Sequence, residues 1–212
     1  MNVIAVALMA LFAPTLASAA VFYLDQNNID LTGGPWVSVT LTDTTASDGR
    51  DGVHIVVDPM DSAFTSIGSN FGIQTFYFNE ATTFGENLSI ENFDPDGWTY
   101  KYTSEPKYNA GGDFGKFEFK ESGNGSTRGN PLSFDVFAPS GESLTIEDLS
   151  TVLSTEGYIF AAHIAGFNNG NSGKFATDSP PTTTVPEPGA LLLLGSGLLG
   201  LALAGSRKKF RN

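Results

Sequence analysis

Paired aspartates in two loops are the first candidates for chemistry in this sequence. Asp94 and Asp96 stand in the tetrapeptide Asp94-Pro95-Asp96-Gly97, and Asp48 and Asp51 lie in a glycine- and threonine-rich loop. Calcium takes about six to eight oxygen ligands from flexible loops, and Asp-x-Asp-Gly is half of such a loop. The EF-hand pattern stops there, because its last ligand position would be Pro106. We expect either calcium at these aspartates or solvated carboxylates in turns, and no cofactor is required.

An aromatic run follows the second aspartate pair. Trp98, Tyr100 and Tyr102 are spaced by two residues, so they share one face if the segment is a strand. Such a ladder can stack on sugar rings while neighbouring polar side chains bind hydroxyl groups. Aromatic strand faces also pack inward in β-sheet cores. The run therefore predicts either a carbohydrate-stacking face or a part of the core.

Neither histidine stands in a catalytic or metal-binding pattern. His54 and His163 both lie inside apolar, strand-like runs, and neither has a second histidine at metal-ligand spacing. The G-x-S-x-G elbow of a serine hydrolase is absent. Glu118 and Glu121 are three residues apart, which on a strand points them to opposite faces rather than together as a glycosidase pair. The sequence thus predicts a protein without catalytic residues.

The segments that must position these residues read as β-strands. Within 212 residues there are 24 glycines, 11 prolines and 17 phenylalanines but no cysteine, so a disulfide framework is excluded. One short helix is expected over 143–155, with Ser143 as its cap. Apolar residues alternate or run together, between turn residues, over 36–42, 53–57, 72–79, 88–93, 98–103, 114–120, 132–137 and 158–167. We predict an all-β fold, an antiparallel β-sandwich of jelly-roll type.

The charge is strongly acidic. The whole chain carries a formal net charge of −12, and residues 1–185 hold 22 acidic against 7 basic side chains. This balance argues against nucleic acid as a partner, because no basic surplus exists to neutralise phosphates. It also weakens the case for direct binding to anionic polymers without bridging cations.

Both ends of the chain carry segments typical of export. Residues 3–13 are apolar and are followed by Ala17-Ser18-Ala19, the small-x-small pattern of a signal peptide that is cleaved after residue 19. Residues 189–205 contain no charge and would span about 26 Å as a single transmembrane helix. The basic cluster Arg207, Lys208, Lys209 and Arg211 follows, which keeps the tail in the cytoplasm.

These signals predict the organisation of the chain. We expect a signal peptide at 1–19, a β-sandwich ectodomain at 20–168 and a spacer rich in proline, threonine and glycine at 169–184. A sorting signal would occupy 185–212, with a motif at 185–188, the membrane helix at 189–205 and the basic tail at 206–212.

The C-terminal 28 residues resemble the PEP-CTERM sorting signal of bacterial proteins. That signal consists of a Pro-Glu-Pro motif, an apolar helix and a basic end, matched here by Pro186, Glu187 and Pro188, residues 189–205 and the cluster beginning at Arg207. The resemblance implies recognition by an exosortase, a membrane-embedded cysteine transpeptidase that cleaves at the motif. It also implies a Gram-negative source that makes exopolysaccharide, an inner-membrane-anchored precursor, and a final place at the cell surface or outside the cell.

Three functions follow from these observations. The first is a non-enzymatic surface or extracellular-matrix protein that is processed by exosortase and associated with exopolysaccharide in a biofilm. The second is a carbohydrate-binding module that uses the aromatic run. The third and least favoured is a secreted glycoside hydrolase that uses two carboxylates.

Overall fold

The described part of the chain contains fourteen β-strands, two short α-helices and 3-10 helices at Gly85–Asn87 and Asn168–Gly170. The structure is a computed structural model that describes residues 18–111, 114–177 and 183–184. The α-helices are α1 (Asp61–Phe64) and α2 (Ile146–Ser150). The strands are β1 (Ala19–Leu24), β2 (Gln26–Asn27), β3 (Val37–Thr45), β4 (Asp51–Pro59), β5 (Gly72–Phe78), β6 (Ser89–Asp94), β7 (Thr99–Tyr102), β8 (Tyr108–Asn109), β9 (Lys116–Phe117), β10 (Phe119–Ser122), β11 (Leu132–Phe137), β12 (Phe160–Ala165), β13 (Ser172–Thr177) and β14 (Thr183–Thr184).

Two six-stranded antiparallel sheets face each other. Sheet A has the order β14-β1-β3-β4-β11-β6, and sheet B has the order β2-β13-β12-β5-β10-β7. Side chains of both sheets meet in one apolar core, as the edge-to-face contact between Phe22 of β1 and Phe160 of β12 illustrates. Every strand pair within the two sheets is antiparallel. The predicted all-β, antiparallel fold is confirmed.

Period-two alternation decides which side chains enter this core. In β3, Val37, Val39 and Leu41 are fully buried, whereas the serine and threonines between them are not. Phenylalanine supplies much of the interior volume. The fully buried phenylalanines are Phe22, Phe64, Phe76, Phe78, Phe117, Phe119, Phe134, Phe160 and Phe175. Such rings stabilise a core without disulfides because each removes a large apolar surface from water.

The chain passes repeatedly from one sheet to the other. The connections β4 to β5, β5 to β6, β6 to β7, β10 to β11 and β11 to β12 all change sheets. The jelly-roll type stays a prediction. The pairs β3–β4, β7–β10 and β12–β13 instead lie side by side in one sheet. The topology therefore combines crossing connections with local hairpins.

A smaller second core lies on the outer face of sheet B. The hairpin of β8 and β9 covers Tyr77, Ala161 and Ala176, which point away from the main core. Phe117 of β9 is fully buried against them. This hairpin covers only part of the outer face of sheet B.

The predicted domain end at residue 168 is wrong. β13 pairs with β12 along its whole length, and Phe175 is fully buried in the main core. The glycine- and asparagine-rich segment before β13 is a hairpin connection rather than the start of a spacer. The sandwich continues to β14, whose residues Thr183 and Thr184 pair with β1.

The short helix lies inside its predicted range but has a different cap. Thr145, not Ser143, is the N-cap of α2, and its side chain and that of Asp148 form a reciprocal capping box. An N-cap residue directly precedes the first helical residue, which here is Ile146. Ser143 lies two positions before Thr145 and therefore cannot cap this helix.

The two export segments are not described. The signal peptide falls almost wholly on residues 1–17, and the membrane helix at 189–205 lies entirely outside the described residues. Within the described residues, no helix has the length and apolarity needed to cross a bilayer. β1 begins at Ala19, so the predicted cleavage after residue 19 would leave five of its six residues in place.

Candidate functional site

The sorting motif follows the last strand of the sandwich almost directly. Thr184 pairs with Ala20 of β1, and Pro186 stands two residues further along the chain. Pro186, Glu187 and Pro188 lie outside the described residues, as does the basic cluster Arg207, Lys208, Lys209 and Arg211. The chain thus enters and leaves the sandwich on neighbouring strands at one edge of sheet A.

The two aspartate pairs lie at opposite ends of sheet A. Asp51 begins β4, whereas Asp94 pairs with Ser133, which pairs with Val56 of β4. Five residues of β4 therefore separate the two levels, about 17 Å along the strand. Asp48, Asp51, Asp94 and Asp96 do not form one site, and no group of three or more His, Cys, Asp or Glu side chains suited to a metal occurs in the described residues. Calcium at either loop alone stays a prediction.

Asp48 already has a cationic partner. The guanidinium of Arg50 donates a hydrogen bond from Nε to Asp48 Oδ2 at 2.8 Å. This bond is the main reason why the pKa of Asp48 is lowered. Arg50 also reaches Glu91 Oε1 at 3.1 Å and lies over the ring of Phe137. A calcium ion at this loop would have to compete with the guanidinium for the Asp48 carboxylate.

The aromatic run does not form one exposed face. Trp98 is only 6% exposed, stacks on Phe93 and donates its Nε1 hydrogen to the carbonyl of Thr127 at 2.6 Å. Tyr102 packs on Phe119 of the main core. Only Tyr100 is exposed, because it lies on the edge strand β7. The expected stacking face is therefore corrected: Trp98 and Tyr102 belong to the core, and carbohydrate stacking stays a prediction for Tyr100 alone.

His54 belongs to a polar network on the outer face of sheet A. Its Nδ1 lies 2.6 Å from Asp135 Oδ1, and Asn92 Nδ2 donates to the other oxygen of Asp135 at 2.7 Å. Asn92 has a positive φ of 56° and lies in a β-bulge of β6, where Asn92 and Phe93 stand opposite the single residue Phe134 of β11. A carboxylate on Nδ1 orients an imidazole and leaves Nε2 for other contacts. The nearest hydroxyl by register is that of Thr42, which makes no side-chain hydrogen bond to His54 in the described residues. His54 and Asp135 thus correspond to the base and the orienting carboxylate of a catalytic triad, without a nucleophile hydrogen-bonded to the imidazole in the described residues.

Carboxylates gather at one end of sheet B. Glu80 accepts hydrogen bonds from the Gly85 amide at 3.1 Å and from the Thr82 hydroxyl. Burial first, and then the nearby charge of Glu80, raise the pKa of Glu118. Burial and the same group of glutamates also raise the pKa of Tyr102. This end of the sheet therefore concentrates acidic side chains, with Glu80 buried and Glu118 half-buried.

Glu121 is the one glutamate that points into the main core. In β10, Phe119 and Glu121 face inward and Lys120 faces outward. Its carboxyl is completely buried, and neither oxygen has a hydrogen-bond partner in the described residues. Burial without partners raises the pKa of Glu121 well above its ordinary value, because the interior disfavours the charged form. Burial therefore favours the neutral form of Glu121 over the carboxylate.

The uncovered part of the outer face of sheet B is cationic. Lys101 of β7 stands directly opposite Lys120 of β10, and His163 of β12 stands directly opposite Lys174 of β13. Burial first, and then the charges of Lys174, Lys120 and Arg128, lower the pKa of His163. Burial and the charge of Lys120 likewise lower the pKa of Lys174. We call the surface formed by Lys101, Lys120, Arg128, His163 and Lys174 the cationic face.

Sequence reasoning missed this face and the buried Glu121. Alternation within β10 places Lys120 and Glu121 on opposite sides, a signal that is readable from the chain. The signal does not tell which side is the core. The neighbours of Lys120 come from β7 and β5, and only the pairing of strands distant in sequence reveals them.

Comparison with known proteins identifies the C-terminal segment. Residues 184–208 match the PEP-CTERM protein-sorting motif. No curated protein and no solved structure matches the chain. The match confirms the predicted sorting signal: the chain carries a PEP-CTERM motif, which indicates an exosortase-targeted protein that is exported and held in the membrane as a precursor before processing to the cell surface.

Proposed function

We propose that this chain is a non-enzymatic surface or extracellular-matrix protein that exosortase processes at Pro186-Glu187-Pro188 and that associates with exopolysaccharide. The observation that carries the proposal is the sorting motif at 184–208, which begins where the sandwich ends. The membrane helix at 189–205 would hold the precursor, and the basic cluster after it would stay in the cytoplasm.

The position of β14 supports this order of events. Thr183 and Thr184 pair with β1, so an anchor beyond them holds the sandwich through an edge of sheet A. Two prolines around Glu187 disfavour a helix and keep the tripeptide extended for an enzyme. Cleavage there would release a domain whose described strands are all intact.

The sorting step is tested by replacing Pro186, Glu187 and Pro188 with alanine in the native host. We expect the variant to accumulate as a membrane-bound precursor of higher mass, while the wild-type protein is processed. Replacement of Pro180 and Pro181, which precede the motif, is the matched control and should leave processing unchanged. Release of the triple variant at the wild-type rate would refute the exosortase assignment.

The non-enzymatic part of the proposal has its own test. Purified protein should release no reducing ends from exopolysaccharide of the host. If turnover occurs, the pair His54 and Asp135 is the first place to look, because Asp135 orients the imidazole. Turnover that disappears on His54→Gln would replace the proposal by the hydrolase alternative.

Carbohydrate binding through aromatic stacking is the weaker second candidate. Of the three aromatic residues, only Tyr100 is exposed, at 38% of its surface. Loss of polysaccharide binding on Tyr100→Ala would favour this candidate. Retained binding would leave charge, rather than stacking, as its source.

A further inference from the structure

The cationic face contains more than half of the few basic side chains in residues 1–185. Residues 1–185 contain 7 basic side chains, and four of them, Lys101, Lys120, Arg128 and Lys174, belong to this face together with His163. Like charges directly opposite each other on neighbouring strands destabilise a sheet. Two such juxtapositions occur here, Lys101 with Lys120 and His163 with Lys174. Fold stability alone does not account for this arrangement.

Nothing in the described residues neutralises these side chains. The ion pairs there involve Arg50 and His54, and none involves a residue of the cationic face. The amine of Lys120 lies 6.0 Å from the ring centre of Tyr77, and Arg128 Nη1 donates to the carbonyl of Asn70 at 3.0 Å. These contacts hold Lys120 and Arg128 in place, and no carboxylate among the described residues forms an ion pair with them.

The cations are spread over an extended surface. From β7 to β13 the face crosses four strand spacings, about 19 Å. Between the pair on β7 and β10 and the pair on β12 and β13 lies β5, whose outward-facing Thr75 and Tyr77 are buried, Tyr77 beneath the β8–β9 hairpin. The two cationic pairs are thus separated by roughly 10 Å. The spacing suits an extended ligand better than one small anion.

We propose that the cationic face binds an acidic polysaccharide, whose carboxylate groups contact the lysines. The proposal rests on the polysaccharide association proposed above and specifies its chemistry. A nucleic acid fits less well, since duplex DNA carries about one charge per 1.7 Å and the rest of this chain is strongly anionic. A polymer with sparser carboxylates matches the spacing of the lysine pairs and meets less repulsion from the acidic remainder of the chain.

The binding test uses the full chain in a mild non-ionic detergent. Polygalacturonate is the acidic probe and dextran the neutral one, each immobilised and measured by biolayer interferometry at 50 and 300 mM NaCl. We expect binding to polygalacturonate that weakens at least tenfold with salt, and no binding to dextran.

Double substitutions distinguish binding at this face from attraction by overall charge. Lys120→Gln with Lys174→Gln should weaken binding at least tenfold, and Lys120→Arg with Lys174→Arg should keep it within about threefold. Lys107→Gln with Lys116→Gln makes the same change of net charge on exposed residues in and next to the β8–β9 hairpin, outside the face itself. Near-ultraviolet circular dichroism checks that each variant is folded.

Each outcome decides between the proposals. Equal loss in both glutamine variants means non-specific charge attraction and overturns the face as a site. Equal binding to dextran overturns the acidic specificity but leaves the polysaccharide association standing. Binding to poly-glutamate or to phosphatidylglycerol vesicles in place of polygalacturonate would assign the face to a peptide or a membrane. Failure to bind any polysaccharide, including that of the host, would refute both the exopolysaccharide association and the binding role of the cationic face.

Discussion

Replacement of Glu121 by glutamine should remove a pH dependence from the stability of the sandwich. The carboxyl of Glu121 is fully buried between Phe76 and Tyr100, its cross-strand neighbours, and neither of its oxygens has a hydrogen-bond partner in the described residues. The pKa of this carboxyl is raised well above its ordinary value by burial. The folded state therefore favours the protonated form of this group more than the unfolded state does.

The sign follows from proton linkage. Above the ordinary glutamate pKa of about 4.3, the unfolded chain loses this proton while the folded chain keeps it. The contribution of Glu121 is therefore fully present below that pH and is lost as the pH rises toward the raised pKa of the folded state. Within this window the free energy of unfolding should fall by about 1.4 kcal/mol per pH unit relative to the glutamine variant.

Urea unfolding of residues 20–184, followed by tryptophan fluorescence in half-unit steps from pH 4.5 to 7.5, measures this difference. Glu142→Gln is the matched control, because Glu142 is exposed and should unfold in parallel with the wild type at every pH. Glu121→Leu should be more stable than the wild type by about 1–3 kcal/mol at neutral pH, since it removes a buried group without partners. Parallel curves for wild type and Glu121→Gln would show that water or an unrecognised donor reaches the carboxyl, and would refute the reasoning.

Two further predictions test the corrected boundary and the cationic face. Phe175→Ala should lower the free energy of unfolding by about 3–5 kcal/mol, because the ring is fully buried and its loss leaves a cavity. An effect below about 1 kcal/mol in urea unfolding would mean that β13 is part of a spacer and not of the core. For His163, burial and then the charges of Lys174, Lys120 and Arg128 lower the pKa in the folded state, so stability should fall as pH drops below about 6.5. His163→Gln should flatten this part of the profile of thermal unfolding against pH, and an unchanged slope would mean that the imidazole takes up its proton freely.

Much of the fold could be predicted because its signals are local. The alternation of Val37, Val39 and Leu41 reports a strand with one buried face, and the structure buries all three residues completely. The end of the domain could not be predicted in this way. Residues 169–174 are mostly polar, so the run resembles a linker, and Phe175 gives a weak signal on its own. Its place in the core depends on pairing with β12, which composition does not encode.

For the candidate site residues, too, the sequence shows local spacing, and strand pairing decides exposure and distance. Trp98, Tyr100 and Tyr102 share a strand face by spacing, but their exposure depends on which side of sheet B is covered and on β7 being an edge. The tertiary structure buries Trp98 and leaves Tyr100 at the surface. Likewise the two aspartate pairs look equivalent in the sequence, and only the register of β4, β11 and β6 places Asp51 and Asp94 at levels about 17 Å apart along the strands.

The sequence by itself determined where this protein is sent. Recognition of the segment at 184–208 depends on the order of a tripeptide, an apolar run and cations along the chain, so no fold is needed to read it. It also determined the acidic balance of the chain, which argued against anionic partners. Only the tertiary structure decided how that charge is distributed. Net charge is a sum over the whole chain, whereas a ligand meets one face, and strand pairing brings Lys101 and Lys120 together with Lys174, 73 residues further along the chain from Lys101.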